Sequence, residues 1–355
     1  LLALNAADGS LLPWDAELSI TVNPTHLAVS GNKVIISGWL GGTVGGVPTP
    51  SMCIAVDRST GVLLPWEPSV HIDSDATIAI LGSKLYVSPV INDDPDSVRT
   101  GLGAFDLTTG ALEEWDPSLD DYHAYDIVPQ GDKLYLPSIY GGQIGCPHLQ
   151  NLAVLDATSG RPDPKWRPQP NDIVRSIAPA GGRVYVGGDF TATHGVARTH
   201  LAAVDTTAGN PLPFAPDLDG TVSTIRLDGD TIFTAGAFTS VNGISRNYLA
   251  AMDASTGSLL AWDPMVNGTV DALVVKPEEV LIGGSFTSVS ADTGHPYLCA
   301  VARNSGSPTD WSPAMNGAVS AVCETNGTVY AGGAFTLVNG QPRNHTAGID
   351  ATNGQ

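Results

Sequence analysis

Positive charge is scarce in this chain. Lys and Arg together number 16 against 36 Asp and Glu, which leaves a net charge of −20. So acidic a chain repels phosphate backbones and anionic headgroups, which excludes nucleic-acid binding and docking on an anionic membrane surface. Long apolar runs are missing as well, and with them any stretch of the roughly 20 residues that a membrane-inserted helix needs. No helical apolar period of useful length is present. Cysteine is rare, at Cys53, Cys146, Cys299 and Cys323. No two of these have the close spacing of a metal knuckle or a redox pair. Two disulfides and a set of buried thiols both fit the spacing. There is no leading Met and no signal-type segment, so the chain is expected to be processed or to be part of a longer polypeptide.

Turn formers are abundant instead, with 40 Gly and 26 Pro. Few charges and many turns point to an all-β protein of short strands. One sentence then recurs along the chain. Residues 250–264 read AAMDASTGSLLAWDP, and close copies stand at 53–68 (CIAVDRSTGVLLPWEP), 103–117 (GAFDLTTGALEEWDP) and 1–15 (LLALNAADGSLLPWD). Looser copies occupy 153–168, 202–216 and 300–313. The first polar position of the pattern falls at Asn5, Asp57, Asp106, Asp156, Asp205, Asp253, Ala302 and Asp350, a period of about 49 residues.

Residues 269–313 show what one period contains. TVDALVVK alternates and is β-branched, EVLIGGSFTSV is a second strand, YLCAVA a third after the longer loop SADTGHP, and PTDWSP a short fourth. Four strands in about 49 residues make a four-stranded antiparallel blade, and seven such units make a β-propeller. The chain is therefore expected to be one seven-bladed propeller domain over residues 1–355. The third strand occurs eight times, because Leu2–Asn5 and Ala347–Asp350 both supply it. N/C-terminal strand exchange is expected to close the ring. The LLPWD strand then completes a blade begun by the C-terminal segment, with the C-terminal third strand paired and Leu1–Asn5 outside. Such closure removes an exposed sheet edge.

The recurring residues have structural explanations. In D-x-x-T-G the Asp accepts turn N–H groups and the Gly supplies a positive φ. Trp14, Trp66, Trp115, Trp166, Trp262 and Trp311, with Phe214 in one copy, offer flat surfaces between neighbouring blades. The pairs Gly187-Gly188, Gly283-Gly284 and Gly332-Gly333 allow close strand approach. Arg198, Arg246 and Arg343 follow the F-T-x-x-x-G turn and are expected to form inter-blade salt bridges or carbonyl clamps. Asn267, Asn326 and Asn344 match the glycosylation sequon, although Asn-Gly is also an ordinary turn pair.

D-x-x-T-G-x-L-x-x-W resembles the tryptophan-docking repeat of quinoprotein-like propellers. The whole unit, with G-G-x-F-T-x-V-N-G-x-x-R-x-x-L-A-A-x-D-A-x-T-G-x-L-x-x-W-x-P, is more similar to a bacterial β-propeller repeat family of unknown function, and is also similar to kelch and galactose-oxidase-like propellers. The resemblance is strong over 184–264 and 329–350. It implies a propeller fold and a secreted or cell-surface location, and it implies no activity. A quinone dehydrogenase of that kind would have eight blades and adjacent cysteines, and a galactose-oxidase site would need a Tyr–Cys crosslink in a motif context that Tyr140, Cys146 and His148 lack.

Loops on a rigid scaffold carry binding. The second-to-third strand loops share a face with the blade-to-blade linkers. Three of these loops depart from the stock form, at 39–51, 90–101 and 139–150, and linkers 71–75 and 118–126 lie beside them. Trp39, Tyr122, His123, Tyr140 and His148 are the candidate ligand-binding residues there, with aromatic rings suited to sugar stacking. Asp93, Asp94, Asp96, Asp120 and Asp121 are candidate ligands for Ca²⁺, as clustered hard carboxylate oxygens are. The closing Glu of an EF-hand is absent. No nucleophile elbow, zinc motif or Ser-His-Asp signature appears. The expected function is a non-catalytic extracellular binding or scaffolding module that engages a protein or glycan through this face. The alternatives are a secreted carbohydrate-active enzyme using the acidic residues, and a structural part of a larger surface assembly.

Overall fold

The computed structural model describes residues 2–4, 11–15, 23–40, 42–44, 46–48, 52–92, 99–115, 117, 123–124, 126–140, 151–325, 327–343 and 345–355. Every regular element among them is a β-strand. Among the described residues, no helix is long and apolar enough to cross a membrane. The chain divides into two compact units, one built on Leu11–Ile173 and the other on Val174–Thr206 and Asn210–Gln355.

The first unit carries three sheets with the same plan. Lys33–Trp39 lies between Asn23–Ser30 and Cys53–Asp57, and Lys84–Asn92 between His71–Leu81 and Arg99–Asp106. Lys133–Tyr140 is flanked by Val128–Gln130 and Leu152–Asp156, with His123–Ala124 also paired to it. Residues 71–75, expected as a linker, thus belong to a long first strand. The second unit repeats the plan four times. The central strands are Arg183–Gly188, Thr231–Gly236, Glu279–Gly284 and Thr328–Gly333. Their first strands are Val174–Ala180, Val222–Asp228, Val270–Val275 and Val319–Thr325, and their third strands are Leu201–Asp205, Leu249–Asp253, Leu298–Ala302 and Thr346–Asp350. All pairings are antiparallel. Sheets are numbered first to seventh below, in chain order.

The fourth strand is thinner than the repeat predicts. The Trp segment touches the third strand at a single bridge in each repeat: Val56↔Leu63, Phe105↔Leu112 and Leu155↔Pro162 in the first unit, Val204↔Pro211, Met252↔Leu259 and Val301↔Pro308 in the second. Leucine and proline copies make the same single bridge, because its bonds come from the flanking residues, as in Asp156 N–H to the Arg161 carbonyl and Asp163 N–H to the Val154 carbonyl at 3.0 and 3.1 Å. At the N-terminus, Leu2–Leu4 forms a two-stranded sheet with Leu11–Asp15. The expectation that Leu1–Asn5 lies outside any pairing is corrected here. A local hairpin closes a short loop, at a lower entropy cost than pairing with a strand more than 300 residues away.

The repeat residues do what the pattern asks. Asp57 Oδ1 accepts the N–H groups of Ser59 and Thr60 at 2.9 Å each, and Asp253 Oδ1 those of Ser255 and Thr256 at 3.0 and 2.8 Å. Trp66, Trp115, Trp166, Trp262 and Trp311 are buried. Trp262 packs with Cys299 and Val301 of the sixth sheet, and Trp311 with Ile349 of the seventh. Fully burying one Leu, Val or Phe contributes about 1.5–3 kcal/mol, so these inter-sheet clusters dominate stability. A Cβ on Gly187 would stand 2.5 Å from Val222 of the next sheet, which is why only glycine fits there. Cys53, Cys299 and Cys323 are free thiols, and Cys53 is pushed up to about 12 by burial in apolar surroundings. Cys146 lies outside the described residues.

Candidate functional site

In the second unit a small hairpin follows the central strand of the fourth, fifth and seventh sheets: Ala192–Thr193 with Val196–Ala197, Ser240–Val241 with Ile244–Ser245, and Leu337–Val338 with Gln341–Pro342. In the last two, an Asn-Gly tip stitches the hairpin to the segment arriving from the preceding sheet. Asn242 Oδ1 accepts the Asp217 N–H at 2.8 Å, and the Asn242 N–H donates to the Asp217 carbonyl at 2.7 Å. Asn339 and Ala314 make the same pair at 2.8 and 2.9 Å. A carboxamide suits this role because it can accept from a backbone N–H while tolerating the left-handed φ of the tip.

At the junction of the fifth and sixth sheets only the backbone half of the stitch is kept, the Ser290 N–H reaching the Met265 carbonyl at 3.3 Å. Ser290 and Ala291 stand where the others have Asn and Gly, and the loop runs one residue longer before Tyr297. Both take left-handed φ values, 50° and 66°. Ser290 bonds through its N–H and its hydroxyl to the Pro264 carbonyl, at 2.9 and 3.1 Å. Met265, in the position of Asp217 and Ala314, has no carboxamide to receive its N–H. It adopts a φ of 50°, donates to Asp263 Oδ1 at 3.0 Å, and its residue is 57% exposed. His194, Asn242 and Asn339 share the left-handed φ of Ser290, and Gln169 that of Met265, so the departure here is alanine in place of the tip glycine, together with an exposed methionine.

A cleft of about 740 Å³ opens there, between walls that include Ile244, Asn247, Met265 and Ser290, over a floor of Arg246 and Asp263. That volume is within the range of small-ligand and peptide sites. Arg246 donates Nη1 to the Ser245 carbonyl at 2.9 Å and Nη2 to the Leu260 carbonyl at 3.3 Å, and meets Asp263 Oδ2 at 3.1 Å. The Arg side chain is 13% exposed and the Asp side chain 27%. Arg198 holds the Ala197 and Leu212 carbonyls in the same way at 2.8 and 2.9 Å. These arginines are therefore carbonyl clamps, and each acts within its own repeat, joining the small hairpin to its own Trp segment. Asp263 is peculiar to this junction, since the equivalent positions are Ala215 and Ser312.

Asn267, one of the sequon residues, is engaged in the turn. Its Oδ1 accepts the N–H groups of Thr287 and Ser288 at 2.8 and 2.9 Å.

Of the residues singled out in the sequence, Trp39 ends the central strand of the first sheet, and His123 and Tyr140 are register partners across two strands of the third. Tyr122, His148, Asp93, Asp94, Asp96, Asp120 and Asp121 lie outside the described residues. Among the described residues, no three His, Cys, Asp or Glu side chains converge as a metal site would require. The cleft residues Ile244, Asp263 and Met265 were missed by the sequence reading. Their signal was the loss of Asn-Gly at 290–291 inside the longer loop.

No known protein-family profile matches the chain, and no curated protein is similar to it. Solved structures are similar in fold. The computationally designed Ika8 protein shares 12% identity over 93% of this chain and 96% of its own, with a TM-score of 0.51. BamB from Moraxella catarrhalis shares 14% over 93% and 95%, with a TM-score of 0.50. The WD40 β-propeller domain of Doa1 shares 11% over 86% and 86%, with a TM-score of 0.48. The chain is thus an all-β protein of the β-propeller kind. Likeness at this level of identity carries the fold and nothing about activity.

Proposed function

We propose that the chain is a non-catalytic binding and scaffolding propeller, working outside the cell or at its surface. The observation that carries this reading is the half-stitched junction of the fifth and sixth sheets. There the side-chain bond of the stock tip is replaced by others, Ala291 holds a left-handed φ where the stock tip has glycine, and Met265 is exposed beside a cleft. Natural repeats accept such costs where a site is needed. The charged groups of the cleft are clamped to one another and to backbone carbonyls, which suits recognition rather than bond making. The variant loops of the first three repeats, with Trp39, Tyr122, His123, Tyr140 and His148, are proposed as a further contact surface of the same kind.

The wider architecture in this proposal is one domain of seven blades. The common strand plan of all the sheets and the even period support it. Ring closure by strand exchange asks Thr346–Asp350 to take the place of Leu2–Leu4 beside Leu11–Asp15, and the shared place of the two segments in the repeat, LLALN before AADG and TAGID before ATNG, supports that exchange. Removing residues 1–10 tests it. An unchanged or higher melting temperature supports exchange, whereas a drop of several degrees shows that the local hairpin is what holds Leu11–Asp15.

Binding itself is tested with a photo-reactive residue at Met265 and, as a control, at the exposed Val62. Each variant is irradiated in an extract of the source organism. One crosslinked partner at 265 and none at 62 is the expected result. Equal labelling at both, or none at either, sinks the binding reading.

A further inference from the structure

The cleft holds one ion pair, whose carboxylate is its more exposed member, and one kind of apolar surface, and together these define its occupant. The floor is an Arg246–Asp263 pair, but the two partners are not equally hidden. The carboxylate is about twice as exposed as the guanidinium, 27% against 13%. The guanidinium also spends two of its nitrogens on the Ser245 carbonyl, the Leu260 carbonyl and Asp263, while its Nε is buried. What reaches an incoming ligand is therefore the carboxylate. The long-range field has the same sign, because the whole chain carries −20. The net field of so acidic a chain concentrates cationic ligands near its surface, where the more exposed carboxylate can meet them.

The walls are aliphatic. Ile244 is 52% exposed on one side and Met265 57% on the other. Methionine is unbranched and polarizable, and it adapts to apolar side chains of varied shape. No aromatic ring lines the cleft among the described residues, so the stacking platform expected of a sugar site is not offered here. Asn247, Ser245 and Ser288 add neutral donors and acceptors along the sides, suited to a peptide main chain.

We propose that this cleft takes an extended segment of a partner protein that carries a lysine or arginine beside an aliphatic side chain. The cation meets Asp263, and the aliphatic group lies between Ile244 and Met265. The inference rests on the reading of the chain as a binding module and names the class of ligand. Two neighbouring junctions serve as internal comparisons, since there Asn242 and Asn339 accept the N–H groups of Asp217 and Ala314.

The test uses the full chain and fluorescein-labelled decapeptides, read by fluorescence anisotropy at 0.15 M salt. One peptide alternates Lys and Leu, one Glu and Leu, and one Lys and Ser. The Lys–Leu peptide is expected to bind at least about tenfold more tightly than either of the others. Asp263→Asn keeps the acceptor for the Met265 N–H but removes the charge, and Ile244→Ser removes one wall. Each is expected to weaken the Lys–Leu peptide about tenfold, whereas Asp217→Asn at the stitched neighbour changes it less than about twofold. Thermal melts confirm that all three variants fold. A second variant, Ser290→Asn with Ala291→Gly, leaves Asp263 in place and restores the stitch, and it too is expected to lose the peptide. Wild-type affinity in Asp263→Asn and Ile244→Ser overturns the proposal, as does equal weakening by Asp217→Asn, which would reduce the effect to net charge. If the peptides fail while the residue at 265 still captures a partner, the ligand class is wrong and the binding reading stands. If both fail, the binding reading falls with it.

Discussion

Trp262 donates its indole N–H to the carbonyl oxygen of Ala302 at 2.9 Å, tying the last segment of one repeat to the third strand of the next. Trp311 does the same to Asp350 at 2.9 Å. Where the Trp is replaced by Phe214, that donor is lost, and the edge-on partner of Phe214 supplies another. Tyr185 donates its hydroxyl to the Ala254 carbonyl at 2.7 Å. In the fifth repeat the roles are reversed: Phe233 packs edge-on against Trp262, and the Trp is the donor. In both repeats the aromatic pair delivers a hydrogen bond to the following sheet.

This exchange of roles gives a rescue experiment. Trp262→Phe is expected to cost about 1–2 kcal/mol, for a lost hydrogen bond and some lost buried area. Adding Phe233→Tyr copies the Tyr185–Phe214 pair and aims a hydroxyl at the Arg303 carbonyl, the equivalent of Ala254. The double variant is expected to recover about half of the loss in urea denaturation. No recovery would show that the pairs are not interchangeable.

The glycine of the D-x-x-T-G turn does two things that can be separated. Gly110 has a φ of 76°, and a Cβ there would meet the Glu67 carbonyl oxygen at 2.0 Å. Gly82 has a φ of 62° with nothing within 4 Å. Gly82→Ala therefore reports backbone strain alone, about 1–2 kcal/mol. Gly110→Ala adds a clash with the preceding repeat, and its cost is expected to exceed that of Gly82→Ala by at least about 2 kcal/mol. Equal costs in chemical denaturation would deny the close packing of the turn on Glu67.

Much of the fold was legible because the repeat writes each structural role several times over. The Asp that caps a turn, the Gly at positive φ and the Trp between sheets are each fixed by local chemistry, so their positions gave the strands directly. The weak fourth strand was less legible, because alternation suggests a full ladder where each of these segments makes a single bridge, with leucine or proline alike at the bridged position. The pairing of Leu2–Leu4 was misjudged because two copies of one strand sequence compete for the same partner, and sequence does not rank them. The cleft was hidden for a different reason. Its signal is a missing Asn rather than a present motif, and a departure from consensus has meaning only once the bond that Asn makes is known.

Acid should attack the turns first. Asp57 and Asp253 are both lowered to about 2 by the hydroxyl and N–H donors around them, Ser59 first for Asp57 and Ser255 first for Asp253. A carboxyl group lowered in the folded state binds its proton more readily when unfolded. Its contribution is therefore complete above about pH 4 and is lost as pH falls toward 2. Melting temperature is expected to hold from neutral pH to about 4 and then drop. In Asp253→Asn the midpoint at pH 7 should be lower, and the further fall between pH 4 and 2 shallower than in the wild type. A parallel pair of curves would show that the turn carboxylate does not couple to folding.

The last prediction concerns stability and binding together. Ser290→Asn with Ala291→Gly writes the tip of the fifth and seventh repeats into the sixth. Glycine at a φ of 66° removes the left-handed penalty carried by Ala291, about 1 kcal/mol. The carboxamide that Ser290→Asn introduces can also accept the Met265 N–H, as Asn242 accepts that of Asp217. That bond takes the place of the one Met265 now donates to Asp263, so it adds little net stability. The variant should thus melt slightly higher, through the relief at residue 291, while the cleft beside Met265 narrows and binding is lost. A gain in stability at the expense of function is what separates a site from a defect in the repeat. A variant that is stabilised and still binds would mean that the open junction is not where the partner sits. A variant that is destabilised would mean that the extra residue before Tyr297, rather than the missing Asn, sets the shape of this loop.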